Sequence, residues 1–307
     1  MPKRKAKEAR KANGPLPPGD GPSLDEFEHS DSPIEWKERL DGDRKGGQAF
    51  VYRVTIASHD YALKIFKFTD PRSDPLYPNS PLEDLPLKEA LKYTDPFYAE
   101  CRAYGRIRDG RVVKNSRSRR AQLHAAVRCY GYLLLRDNDA DEFNKLGHDL
   151  ETNVLDPKLR KALGGDTRIR AIVKHFDDGP REINKGNIRQ AWAGIRLMNH
   201  SLKIYNMHIG SDNFIGHRLV DFSTSWTEPH EILRYLDDAD PESGRKIRSA
   251  DAEDFDYMIR AERIQTRLQV LPTSRHQLRS KGKVPEERRE LRKRRRKGTI
   301  LRSPSSS

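Results

Sequence analysis

The segment at residues 204–226, IYNMHIGSDNFIGHRLVDFSTSW, constrains the fold more than any other part of the chain. Asn213 is followed eight residues later by Asp221, and Gly216 stands between them. The apolar residues on each side of the glycine predict two short strands joined by a tight turn, because glycine adopts the backbone conformations that such turns require.

This segment resembles the second half of a protein-kinase active site, where an asparagine and the aspartate of an Asp-Phe-Gly turn hold magnesium. Here the turn reads Asp-Phe-Ser, at 221–223. Kinases also use a lysine on the third strand to hold the nucleotide phosphates. Ala62-Leu63-Lys64 matches that strand, and a lysine in so apolar a strand must be paired or reach solvent. The resemblance therefore implies a nucleotide-binding role for Lys64, with Asn213 and Asp221 as magnesium ligands and Mg-ATP as the cofactor.

Glu100 is the predicted partner of Lys64. In kinases the lysine pairs with a glutamate of the helix that follows the third strand. Apolar residues at helical spacing after Pro96 predict such a helix, and Glu100 lies on it. The alternative is that Glu100 is an ordinary surface glutamate of that helix.

The pattern departs from a working kinase at two places. His208 stands where the catalytic aspartate is expected, because 206–208 reads Asn-Met-His in place of His-Arg-Asp. A neutral imidazole can accept a proton, so His208 is the one catalytic candidate, although it lacks the charge of a carboxylate. Gly46 and Gly47 are candidates for the loop that covers the phosphates, but Ala49 stands near the third glycine position. A plain hairpin turn explains these glycines equally well.

The hydrophobic pattern predicts an α+β chain, and the order of its elements resembles that of a protein kinase, which implies a kinase-like fold of two lobes. The N-lobe would be β-rich and span about 33–174, and the C-lobe would be a shortened helical lobe at about 175–272. The predicted strands lie at 34–40, 50–56, 61–66, 125–135 and 169–176, and the first three form an antiparallel meander. The predicted helices lie at 97–107, 187–200, 232–236 and 255–268.

Two insertions have no counterpart in that plan. Residues 69–95 are rich in proline, which predicts a loop with a short helical turn near 87–91. Residues 136–166 are polar and partly acidic, which predicts an exposed surface segment. Each insertion is either a surface for docking a partner or an ordinary loop.

The positive charge is concentrated at the two ends of the chain. The net charge is +13, of which +5 lies at 1–11 and +10 at 275–307, so that the body at 12–274 carries −2. We predict a disordered basic and Pro/Gly-rich tail at 1–32 and a disordered basic tail at 273–307. The basic run at 292–297 resembles a nuclear-localisation signal. Residues 275–307 could also make non-specific contact with nucleic acid.

Other classes of protein are disfavoured by what the sequence lacks. It has no run of 18 or more apolar residues, which predicts a soluble intracellular protein without a membrane partner. Cys101 and Cys129 are the only cysteines and lie in apolar stretches, so we expect core thiols rather than a disulfide or a metal cluster.

Four longer stretches extend the resemblance to a particular family. They are ALKIFKF at 62–68, DPFYAECRAYGRI at 95–107, VRCYGYLLL at 127–135 and LVDFSTSWTEPH at 219–230. Together they resemble the kinase-like domain of fungal proteins grouped with the second Fta subunit of the Sim4 kinetochore complex. That resemblance implies a nuclear protein with kinetochore or chromatin partners.

The expected function is that of a nuclear pseudokinase scaffold. One alternative is an atypical ATP-dependent phosphotransferase that uses His208. A second alternative is a nucleic-acid-binding protein that acts through its basic tails.

Overall fold

The computed structural model describes residues 16, 21–42, 47–74, 80–110, 125–179 and 182–271. The chain divides into two units, Met1–Val270 and Leu271–Ser307. Only Leu271 of the second unit is described, so the account that follows concerns the first. The predicted basic tail at 273–307, its nuclear-localisation-like run and Gly46 all lie outside the described residues.

The first half of the chain forms a five-stranded antiparallel sheet. Its strands are β1 (Ile34–Arg39), β2 (Ala49–Ile56), β3 (His59–Phe66), β4 (Cys129–Leu134) and β5 (Arg170–His175). Their order across the sheet is β1-β2-β3-β5-β4. All five strands were predicted, including the antiparallel meander of the first three, because β-branched and aromatic residues are concentrated in them. The predicted α+β class is confirmed.

Two helices follow the meander, α1 (Leu87–Thr94) and α2 (Pro96–Asp109). Asp95 begins α2 by accepting hydrogen bonds from the backbone amides of Phe97 and Tyr98, and proline fills the first helical position. Asp95 also pairs with Arg170 of β5 at 2.9 Å, with both side chains buried. This pair fixes the start of α2 against the sheet.

The insertion at 136–166 is largely exposed, as its polarity predicted, but it is attached to the core. It contains two helices, α3 (Asp137–Lys145) and α4 (Pro157–Ala162), which bury Phe143 and Leu159 in the main core. Phe143 lies against Trp36 and Tyr52 of the sheet. A few apolar residues, widely spaced among charged ones, are enough to attach a short helix to a core.

The second half consists of short strands and longer helices. It contains α5 (Ile188–Leu197), continued by a π-helical turn at Met198–Leu202, and the short strands β6 (Ile204–Tyr205), β7 (Phe214–Ile215), β8 (Arg218–Leu219) and β9 (Trp226–Thr227). Two helices end it, α6 (Glu231–Ala239) and α7 (Pro241–Ala261). The helix predicted at 255–268 thus begins and ends earlier in the chain. Its start is fixed by Asp240, which caps the first turn, and by Pro241, which occupies the first helical position.

Residues 21–32 are part of the folded unit, which corrects the prediction of a disordered tail over all of 1–32. Leu24 and Phe27 are buried in the main core. The segment also bonds to the outer edge of β4, where the Phe27 amide donates to the Tyr132 carbonyl at 2.7 Å and the Tyr132 amide donates to the Asp25 carbonyl at 3.1 Å. Sequence analysis did not predict the burial of this segment, because only two apolar side chains anchor it and the surrounding composition is rich in proline and glycine.

Two glycines make room for this segment. A Cβ atom at Gly105 of α2 would lie 2.6 Å from the Ser23 backbone, and one at Gly131 of β4 would lie 2.7 Å from the Phe27 amide nitrogen. Gly131 also has a φ of +149°, which favours glycine. The close approach of the chain at both positions requires the absence of a side chain.

Across the described ranges, no helix is long and apolar enough to cross a membrane.

Candidate functional site

A cavity of about 200 Å³ lies between the five-stranded sheet and the β7–β8 hairpin. Its apolar lining includes Val51 and Ala62 from the sheet, and Phe214 and Ile215 from the hairpin. Its charged lining comprises two lysines and four aspartates, which are Lys64, Lys174, Asp41, Asp177, Asp212 and Asp221. A pocket with apolar walls and a few converging charges is the usual form of a ligand site.

Lys64 joins two of the predicted site residues. Its Nζ donates to Glu100 Oε2 at 2.8 Å and to Asp221 Oδ1 at 2.6 Å. Glu100 is fully buried on α2, so the alternative of a surface glutamate is wrong. Because these residues are 36 and 157 positions apart in the chain, only the tertiary fold brings them together. The sheet, α2 and the hairpin thus meet at a single ammonium group.

Lys174 of β5 is a second cation in the same cluster. Its Nζ forms an ion pair with Glu100 Oε1 and donates to the Val220 carbonyl at 2.6 Å. Sequence analysis missed this residue, although the signal was the one that identified Lys64. A lysine inside the apolar strand Arg170–His175 must find a partner, because an unpaired buried charge is strongly unfavourable.

The electrostatics of the cluster favour the charged forms of Lys64 and Asp221. Burial acts to lower the pKa of Lys64, but Asp221 and Glu100 outweigh it and raise the pKa above its ordinary value. Burial acts in the opposite direction on Asp221, yet Lys64 and then Lys174 hold the pKa of that carboxyl well below its usual range. Lys64 and Asp221 therefore form an ion pair at neutral pH.

Asp221 and Asn213 are held by local contacts. The amide and hydroxyl of Ser223 both donate to Asp221 Oδ1, at 2.9 and 2.8 Å. Asn213 is buried, and its Oδ1 accepts the Gly210 amide at 2.7 Å. Asn213 does not line the cavity, whereas Asp221 does. The hairpin between them has the predicted form, with Gly216 at a φ of +59°.

Part of the oxygen capacity of these two residues is already used within the protein. Asn213 Oδ1 accepts the Gly210 amide, and Asp221 Oδ1 accepts three donors, while the Asp221 side chain is still partly exposed. Within the described residues, no group of three His, Cys, Asp or Glu side chains is arranged to hold a metal ion. The role of Asn213 and Asp221 as joint magnesium ligands stays a prediction.

His208 and Gly47 lie apart from the charged cluster. His208 is exposed and is not among the residues that line the cavity. Gly47 is exposed as well, and it too is absent from the lining. The structure thus brings Lys64, Glu100 and Asp221 together and leaves the catalytic candidate outside.

Asp251 anchors the loop that carries His208, and sequence analysis missed it. Its carboxylate oxygens accept the backbone amides of Asn206 and Met207, at 2.8 and 2.9 Å. Burial raises the pKa of Asp251 to about 6, although the two amide donors act to lower it. Asp251 lies on α7, more than 40 residues further along the chain, so no local pattern indicated the contact. Its role is to hold the backbone of the loop in place.

Helix α2 is also fixed from its other side. Arg102 donates to the carbonyls of Thr227 and Pro229, at 3.1 and 2.5 Å. Arg106, one turn later, donates to the Glu228 carbonyl. These contacts attach α2 to the segment that follows Asp221. They therefore help to fix the position of Glu100, which lies on the same helix.

Comparisons with known proteins indicate the family to which this chain belongs. A family model described as kinetochore Sim4 complex subunit FTA2 matches residues 12–226, which is well over half of the chain. The matched region contains the sheet, α2 and the hairpin, and therefore all the residues of the charged cluster. No curated protein matches the chain.

Among the solved structures that match is one titled "Structure of vaccinia related kinase 3". The two chains are 9% identical, with a TM-score of 0.32, and the match covers 68% of this chain and 53% of that one. This chain therefore spans about half the length of that kinase. A likeness this weak carries no argument about activity.

Proposed function

Because the chain belongs to the family of kinetochore Sim4 complex subunits FTA2, we propose that it acts in the nucleus as a protein-binding subunit of a kinetochore complex. Its kinase-like domain serves as a scaffold and does not transfer phosphate. Membership of this family supports the nuclear location and the binding of protein partners in a kinetochore complex. The arrangement of the cleft supports the absence of phosphoryl transfer.

One observation carries the second part of this proposal. Lys64 and Glu100 are buried and joined at 2.8 Å, and Lys64 also contacts the partly exposed Asp221 at 2.6 Å, as in a kinase framework. The residue at the catalytic position, His208, is an exposed imidazole outside the cavity. A general base must come within hydrogen-bond reach of the proton that it removes. This arrangement supports a domain that keeps the framework of a kinase for a structural role and does not transfer phosphate.

The atypical phosphotransferase is the less favoured function. It would need His208 as the base and a magnesium ion between Asn213 and Asp221. His208 lies outside the cavity, so the geometry favours the scaffold over this function. The network is better explained as the link that joins the sheet, α2 and the hairpin.

We expect that the His208→Ala chain still enters the kinetochore complex and supports chromosome segregation. His208 is exposed and absent from the charged cluster, so its removal should change neither the fold nor a binding surface built on the network. The measurement is co-purification of the other complex subunits with the full chain, together with the rate of chromosome loss when the variant replaces the natural copy.

His200→Ala is the matched control, because His200 is also exposed and lies on the preceding π-helical turn. Equal recovery and equal segregation for both variants would support the scaffold. A His208→Ala chain that enters the complex normally but fails in segregation would show that the imidazole performs chemistry, and would overturn the proposal.

A further inference from the structure

A second, smaller cavity lies where the N-terminal segment at 21–32 meets α1 and α2. Its volume is about 40 Å³, and it is partly open to solvent. The charged side chains among its described lining residues are both cations, Lys92 of α1 and Arg102 of α2. The neutral lining includes Pro22 and Ser23 of the segment. Charges of one sign favour a ligand of the opposite sign, so the cavity favours an anion.

Arg102 is a buried cation whose charge is not balanced. It is only 8% exposed. Its Nη2 donates to the carbonyls of Thr227 and Pro229, whereas its Nε is buried and has no hydrogen-bond partner. Burial lowers the pKa of Arg102, and the neighbouring Arg106 acts in the same direction. Neutral carbonyls do not offset a positive charge, so an anion in the cavity would supply both the missing acceptor and the missing charge.

The N-terminal segment leaves the guanidinium group uncovered. Gly21 has a φ of +120°, which favours glycine. A Cβ atom at Gly21 would lie 3.2 Å from Arg102 Nη1 and 3.5 Å from Nη2. Ser23, two residues later, is exposed and lines the cavity, and its hydroxyl is a further hydrogen-bond donor. The segment therefore passes the arginine with bare backbone and leaves room beside it for ligand atoms.

The size of the cavity limits the ligand to one small group. A volume of about 40 Å³ has room for roughly three water molecules, since each needs about 10–15 Å³. That is enough for a single phosphate or carboxylate group and too little for a nucleoside. The rest of a larger ligand must therefore lie outside, on the surface of the protein.

The local charges favour a phosphate over a carboxylate. Lys92 is already offset by Glu89, with which it forms an ion pair. Arg102 and Arg106 lie one helical turn apart, and in the described part of the chain both bond to backbone carbonyls instead of carboxylates. Two positive charges therefore remain. A phosphate monoester carries a charge of about −1.5 to −2 at neutral pH, which matches them.

We propose that this cavity binds a phosphate group carried by a phosphoserine or phosphothreonine of a partner protein. The phosphate accepts hydrogen bonds from Arg102 Nε and from Lys92, and charge-assisted bonds of this kind are strong. The peptide chain of the partner lies on the surface beside Ser23, because the cavity holds only the phosphate. Recognition of phosphorylated segments by arginine is a common mode of protein binding. The inference rests on the proposed function, because it assigns to a protein-binding subunit the chemistry of its partner.

The test is thermal unfolding of the full chain at fixed ionic strength, with a five-residue peptide that carries one phosphoserine between alanines. We expect the midpoint to rise with peptide concentration, because a ligand that binds only the folded state stabilises it. Lys92→Met should need at least about tenfold more peptide for the same rise, since a hydrogen bond to a charged group contributes about that factor. Lys88→Met is the matched control, because Lys88 is exposed on the same helix and absent from the described lining, and it should respond like the natural chain.

Arg102→Met should abolish the response, but it also removes two bonds to the segment after Asp221, so Lys92→Met decides if that variant does not fold. Four results would overturn the inference. They are no rise with the phosphopeptide, an equal rise with the unphosphorylated peptide, an unchanged response of Lys92→Met, and a rise with inorganic phosphate but not with the phosphopeptide. The last would assign the site to a free phosphate ion.

Co-purification separates this inference from the proposed function. A natural chain that does not respond to the phosphopeptide but still co-purifies with the other complex subunits would overturn this inference alone. A natural chain that does not co-purify with them would overturn the proposed function.

Discussion

Replacing Glu100 with glutamine should lower the free energy of unfolding by about 3–5 kcal/mol, because breaking a buried ion pair from one side leaves a charge without a partner. Glutamine keeps the size of the side chain and removes its charge. Lys64 would keep Asp221, but Lys174 would keep only the Val220 carbonyl. Chemical denaturation of the full chain, followed by tryptophan fluorescence, measures the change.

Two further variants show whether the effect comes from the charge. Glu142→Gln is the matched control on α3, where Glu142 forms an exposed pair with Lys145, and such pairs contribute only about 0–1 kcal/mol. The double variant Glu100→Gln with Lys174→Met should be more stable than Glu100→Gln alone, because it removes the lysine that was left unpaired. A loss below 1 kcal/mol in Glu100→Gln would contradict the buried network.

Phe27→Ala should destabilise the fold by about 3–5 kcal/mol, as expected for loss of a buried phenylalanine. Phe27 is 2% exposed and packs edge-to-face against Tyr61 of β3. Its backbone amide is bonded to β4, so the segment cannot easily collapse to fill the space. Thermal and chemical unfolding of the full chain measure the effect.

Phe27→Leu provides the control, since a smaller change in volume should cost less than the alanine substitution. Glu28→Ala provides a second, because Glu28 is an exposed neighbour and should change stability by about 0.5 kcal/mol or less. If Phe27→Ala were as mild as Glu28→Ala, residues 21–32 would be the loose tail that their composition predicts.

Local patterns predicted the elements that carry their own signal. The meander of β1 to β3 was found because β-branched and aromatic residues alternate with short polar turns. Helix α2 was found because Pro96 precedes apolar residues at helical spacing. Lys64 was found because a charge inside an apolar strand requires a partner.

The features that were missed depend on contacts between distant residues. Asp251 binds a loop 45 residues away, and Lys174 meets a glutamate of α2 across the sheet. Phe27 is buried only because Gly131 lets the chain approach β4. Asp251 and Phe27 have an ordinary local context, and the fold alone gives them a role, whereas Lys174 carried the same local signal as Lys64 and was overlooked. The side-chain oxygen of Asn213 accepts the Gly210 amide, a contact that the sequence did not indicate, and its role as a metal ligand stays a prediction.

The most direct measurement is the transfer of radiolabelled phosphate from ATP in magnesium, by the full chain alone and within its purified complex. The natural chain, His208→Ala and Asp221→Asn are compared. The scaffold account predicts that the natural chain incorporates no more label, into itself or into the other subunits, than the two variants do. Incorporation that is lost in both His208→Ala and Asp221→Asn would contradict it, because the cleft would then be performing phosphoryl transfer.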